Sequence, residues 1–91
     1  MLFKKKIYVL EGYTWELENQ YPLLLEDMLF PSYKKAYKKI MDIAENIKEN
    51  SKEMGWDVDI KWKEEFKTLE VNYSNGTVDN YIILEREIVK R

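Results

Sequence analysis

The sequence predicts an α+β two-layer sandwich: an antiparallel sheet of about five strands, in the order ββαβββ, with one long helix packed on one face. Three observations carry this. Apolar residues recur at spacings of three and four through one central segment, they alternate with period two on either side of it, and Asn75-Gly76 stands between two apolar runs as a hairpin signal. With 91 residues and no linker-like stretch, the chain is expected to form a single domain, 1–91.

Residues 7–17 read as a long strand, in which Ile7, Val9, Tyr13, Trp15 and Leu17 share one parity. Gly12 marks a bulge or bend within it, or with Glu11 a turn that splits it; the continuous strand is favoured. Residues 18–22 supply the next turn. Residues 23–30 suit a strand or a short helix, and their shortness between Pro22 and Pro31 favours a strand paired back onto the first.

The helix is expected over about 33–53, N-capped by Ser32 and closed by Gly55. Ala36, Ile40, Ile43, Ala44, Ile47, Ser51 and Met54 form its apolar face. Trp56, Val58, Ile60 and Trp62 then alternate with Asp57, Asp59, Lys61 and Lys63, a half-buried strand. After a turn at Glu64-Glu65, residues 66–73 and 77–88 are expected to pair through a two-residue Asn75-Gly76 loop. That loop sets Tyr73 opposite Val78, which places Leu69, Val71, Tyr73, Val78, Ile82 and Leu84 on one face and turns Tyr81 and Ile83 to the other.

Composition narrows function by exclusion. The chain has no Cys and no His, which removes disulfides, thiolate nucleophiles, imidazole bases and nearly every zinc, haem or iron–sulfur site. The three glycines are scattered, so no phosphate-cradling loop exists. Glu64 and Glu65 are sequence neighbours whose side chains diverge on a strand, and Asp57 and Asp59 share a face that continues into lysines. A non-enzymatic protein is expected, with no catalytic residue, metal or cofactor. The apolar run after Lys4-Lys5-Lys6 is four residues long, too short for a signal-peptide core, and no stretch is long enough to span a bilayer, so a cytoplasmic protein with no membrane contact is expected.

Partner binding is the remaining class. Lys34, Lys35, Lys38 and Lys39 fall in the first two turns of the helix, where the macrodipole is already positive, so helix stability does not ask for them. They are either a solubilising face, with pairs such as Lys38 to Asp42, or a surface for an anionic partner. Aromatic residues make up 14%, more than one small core readily hides, and Tyr13, Tyr33, Tyr37 and Tyr81 are candidate contacts on edges or on the face opposite the helix. Trp15, Trp56 and Trp62 read as core. Glu26 and Asp27 contribute to a local acidic stripe. A protein partner is expected ahead of nucleic acid, because the net charge is −2 and Arg, the main reader of base edges, is nearly absent. The nucleic-acid alternative would use Lys4 to Lys6 with the helix lysines. A homodimer closing over the uncovered sheet face is the third option.

The run from Tyr8 to Tyr13, followed by Glu26-Asp27-Met28-Leu29-Phe30-Pro31-Ser32-Tyr33-Lys34-Lys35-Ala36, resembles small proteins of phages and prophages of low-GC Gram-positive bacteria, which open with a strand hairpin and enter one helix through a Phe-x-Ser/Thr-x-x-x-Ala step. The resemblance covers roughly the first half of the chain. It implies a short non-enzymatic protein of a class in which some members are stoichiometric inhibitors of host defence, such as anti-CRISPR proteins.

Overall fold

A computed structural model of the chain describes residues 3–23, 25 and 28–90. Its elements are β1 (Phe3–Glu16), β2 (Asn19–Leu23), β3 (Leu29–Phe30), α1 (Tyr33–Met54), β4 (Val58–Lys63), β5 (Thr68–Tyr73) and β6 (Val78–Lys90). The strands form one antiparallel sheet in the order β2-β1-β6-β5-β4, with β3 also on β1. One helix lies across one face, the α+β architecture expected.

The helix forms where its caps place it. Ser32 is extended and its Oγ accepts from the Lys35 amide, satisfying one of the donors a helix N-terminus leaves over. Gly55 takes the left-handed conformation at φ 72°, where its amide bonds back to Lys52 O. Ala36, Ile40, Ala44 and Ser51 are buried beneath the helix, with Ile43 and Ile47 partly so. Met54 was expected to continue that face, but it is 63% exposed, whereas Ser51 three residues before it is buried.

The β1–β6 pairing runs unbroken from Phe3↔Lys90 to Trp15↔Val78. Gly12 therefore makes neither bulge nor turn. A side chain there would bring a Cβ within 3.3 Å of Leu23 and Tyr81, so glycine is what lets those two meet across the strand. This ribbon stretches the molecule to 56 × 27 × 25 Å, and its 15.2 Å radius of gyration exceeds the roughly 12 Å of a compact domain this long.

The β1–β2 hairpin turns at Leu17-Glu18, beginning one residue earlier than expected and closing in two residues, with Leu17 at φ 58°. Pro22 consequently lies within β2, tolerated because β2 is an edge strand. Of the strand expected over 23–30, Leu29 and Phe30 pair with Val9 and Tyr8, while Leu25 and Met28 lie outside strands.

The largest departure is in the β5–β6 hairpin. Its loop is Ser74-Asn75-Gly76, three residues and not two: the Tyr73 amide donates to Thr77 O and the Gly76 amide to Tyr73 O. Only Gly76, at φ 95°, takes positive φ, and Asn75 Oδ1 accepts from the Thr77 amide. One extra loop residue slips the register by one and reverses every side chain of β6. Leu69 thus faces Tyr81, and Tyr81 and Ile83 join Leu69 and Val71 under the helix, whereas Val78, Ile82 and Leu84 turn to the opposite face. The core is Leu10, Ala36, Ile40, Ala44, Leu69, Val71, Tyr81 and Ile83, all under 10% exposed.

Candidate functional site

Three surfaces combine chemistry with access: the open sheet face, the basic end of α1 and a cleft at the far end of the helix-covered face. The open face is divided. Across β3, β1 and β6 its cross-strand rows are mainly apolar, with Leu29, Val9 and Leu84 in line and Val78 beside Trp15, interrupted by Glu11 beside Ile82 and Asn80 beside Tyr13. Trp15 is 42% and Leu29 66% exposed, and Val9, Ile82 and Leu84 are half-buried. Across β5 and β4 the same face is polar. There Lys63 donates to Glu70, Asn72 Nδ2 to Glu70 Oε1 at 2.8 Å, and Lys61 pairs with Asp59 at 3.4 Å. Tyr13 belongs to the open face, where its hydroxyl donates to Glu11 Oε2 at 2.7 Å. That bond to a carboxylate, more than burial, holds the phenol above its ordinary pKa.

The helix lysines stand at the end of the molecule where α1 begins. Lys34, Lys35 and Lys38 are exposed and Lys39 is half-buried, and among the described residues none pairs with an acid, so the Lys38–Asp42 contact does not form. The first helical turn holds no acid, and its last holds Lys52, leaving the N-terminal end charged in the sense of its own dipole. Lys5 and Lys6 lie on β1 just before Tyr8, whose ring meets Tyr33 at 6.0 Å, so the strand lysines approach this same end. Lys6 is engaged with Glu85 at 2.9 Å, and this bond first of all raises its pKa.

Tyr33 and Tyr37, candidate contacts by sequence, are packing residues. Tyr33 stacks on Tyr37 at 6.1 Å, and Tyr37 meets Trp62 edge-on at 5.1 Å, a chain of rings sealing the helix against the sheet. The Tyr33 hydroxyl is buried without a hydrogen-bond partner, and burial raises its pKa. Lys67 lies 5.5 Å over the same ring and donates to Glu64, which also accepts from Trp62 Nε1–H; these two bonds lower the Glu64 pKa. Tyr81, expected on the open face, is 7% exposed beneath the helix and offers nothing to a partner. Glu26 and Asp27 lie outside the described residues. Trp15 and Trp56, expected in the core, are both exposed, Trp15 because its parity is that of the open face and Trp56 because β4 begins only at Val58.

The cleft is the feature that sequence reasoning missed. It encloses about 430 Å³ at the end of the sheet beyond α1. Thr14 and Leu23 form its floor with Asp79, Tyr73 and the 74–77 loop stand on one side, and Trp56 with Asp57 closes the other. Ser74 N–H donates to Asp57 O at 3.1 Å and ties the two walls together. Tyr73 is pushed up to about 12 by burial first and by the neighbouring Asp79 carboxylate. Burial and Asp79 raise Tyr81 as well. Only the Gly55 cap, which swings Trp56 off the strand line, hinted at this in the sequence.

Among the described residues no three acidic side chains converge as metal ligands, and no helix is long and apolar enough to cross a membrane. No family model, curated protein or solved structure matches the chain.

Proposed function

We propose that this chain is a protein-binding module without chemistry of its own, which uses the apolar half of its open sheet face as the contact surface. The supporting observation is the row Leu29–Val9–Leu84 with Ile82 beside it, and Val78 with Trp15 beyond Glu11 and Asn80, an apolar surface that no second layer covers among the described residues. Such patches rimmed by charge mark interaction sites, and Lys61, Lys63, Glu70 and Asp59 supply the rim. Within this class, the resemblance to phage proteins favours a stoichiometric inhibitor that covers a functional surface of a host-defence or nucleic-acid-processing protein.

The test is retention of partners from a bacterial lysate on the immobilised protein after nuclease treatment, compared with the Ile82→Lys/Leu84→Lys variant. One defined protein, lost in the variant, is the expected result. A second reading draws on the unpaired Lys34, Lys35 and Lys38 and makes the basic end a phosphate contact. It requires affinity for nucleic acid that falls steeply with salt and is lost in Lys34→Glu/Lys38→Glu; a flat salt response dismisses it.

A further inference from the structure

We infer that the cleft between Trp56 and Tyr73 is a binding site for a compact organic cation, an alkylammonium or guanidinium group. It is separate from the open sheet face. At about 430 Å³ it falls within the range of small-ligand pockets, and its lining has the makeup of a cation receptor. The aromatic residues Trp56 and Tyr73 and the acidic residues Asp57 and Asp79 line it, and no lysine or arginine does.

The charge balance is what points to a cation. Among the described residues neither Asp57 nor Asp79 has a cationic partner, although most ammonium groups on the neighbouring strands do: Lys61 is on Asp59 and Lys63 on Glu70. Asp79 lies beside Tyr73, and its carboxylate is half-buried with acceptor positions to fill. The site also follows directly on the C-terminal turn of a 22-residue helix, whose dipole favours positive charge. Trp56 is 55% exposed, and a cation passing over its ring gains a further contact. Thr14 and Leu23 at the floor suit the methylene stem behind such a headgroup.

The chemistry is shared by a free polyamine and by the Lys or Arg side chain of a partner, and the experiment separates them. The full chain is titrated with spermidine, with Nα-acetyl-lysine methylamide and with Nα-acetyl-arginine methylamide, with the uncharged Nα-acetyl-norleucine methylamide as control. The Trp56 indole and the Ser74 and Thr77 amides are followed by NMR. Saturable shifts confined to these signals, on the order of millimolar for probes this small, are expected for at least one cation and not for the control. Asp57→Asn/Asp79→Asn should weaken them about tenfold or more, and Trp56→Ala, at an exposed position, should weaken them less. Tighter binding by spermidine names a free amine as the ligand, and tighter binding by a capped residue names a side chain; both support the site. Equal response to the uncharged control, no saturation with any cation, or an unchanged response in the double Asn variant overturns it. Ile82→Lys/Leu84→Lys leaves this response intact, so the failure of either surface is distinguishable from the failure of the other.

Discussion

The two faces of the sheet are built from alternate residues of the same strands, and along β1 and β6 the uncovered face carries the more apolar residues, yet the core forms on the other. On one face Leu10, Leu69, Val71, Tyr81 and Ile83 lie under α1, each under 10% exposed. On the other, Val9, Val78, Ile82 and Leu84 are only half-buried and end in the exposed Leu29. Side-chain chemistry does not separate these sets. What separates them is a helix that has an apolar stripe on one side only, and a strand register that decides which set meets it. An apolar residue is a core residue here only if its parity matches that of the helix.

Substitutions on the two faces should therefore differ sharply in cost. Leu69→Ala is expected to lose about 2–5 kcal/mol by urea denaturation, since it opens a cavity in a face that has no room to collapse. Gly76→Ala comes next, at about 1–2 kcal/mol, because alanine must then hold the left-handed conformation of the loop. Removing the Ser32 cap as Ser32→Ala should cost about 1 kcal/mol, by loosening the first turn of the helix that makes one face different from the other. Ile82→Thr on the open face should stay within about 0.5 kcal/mol; a loss as large as that of Leu69→Ala would mean that the open face is covered in solution by a second copy.

The smallest effect at neutral pH comes from ionisation, and it sharpens the same contrast. Tyr73 on the covered face has a folded pKa of about 12 against an ordinary value of 10, so the unfolded chain sheds its proton first. Its contribution is fully present below pH 10 and is lost as the pH rises from there to about 12, and Tyr73→Phe should flatten that alkaline loss. Tyr13 on the open face is raised chiefly by its bond to Glu11 and not by burial. Glu11→Gln should therefore bring Tyr13 down toward its ordinary value and leave Tyr73 where it is, as read by phenolate absorbance.

How much of this was legible follows from what each signal encodes. The helix was readable to within a residue at its C-terminus because Ser32 and Gly55 carry local hydrogen-bonding and conformational instructions. Fold class was readable from period alone. The face of β6 was not, because periodicity reports that residues alternate without saying which alternate set faces the helix; that depends on whether Asn75 or Ser74 begins the loop, and the dipeptide Asn-Gly is compatible with both. Trp56 was misread for a related reason: its parity continued that of Val58 and Ile60, but the left-handed Gly55 places it before the strand begins. The lysines at the helix start were legible as a surface, and the cleft was not, since it draws on β1, β2, the β5–β6 hairpin and the α1–β4 connection. Tyr33 and Tyr37 looked like edge residues because a helical stripe drawn from aliphatic residues alone omitted the rings that flank it.

Exposed loops are ordinarily the places where a protein accepts insertions and deletions with least harm. The 74–76 loop is exposed throughout, and yet its length sets the register of β6. Ser74 is free to vary in kind, because its only structural bond is made by its backbone amide. Its presence is another matter: a loop shorter by one residue would send Tyr81 and Ile83 into water and bring Val78, Ile82 and Leu84 against the helix, exchanging the inside of the protein with its outside. Drift in sequence and drift in length, usually tolerated together at a hairpin tip, are uncoupled at this one.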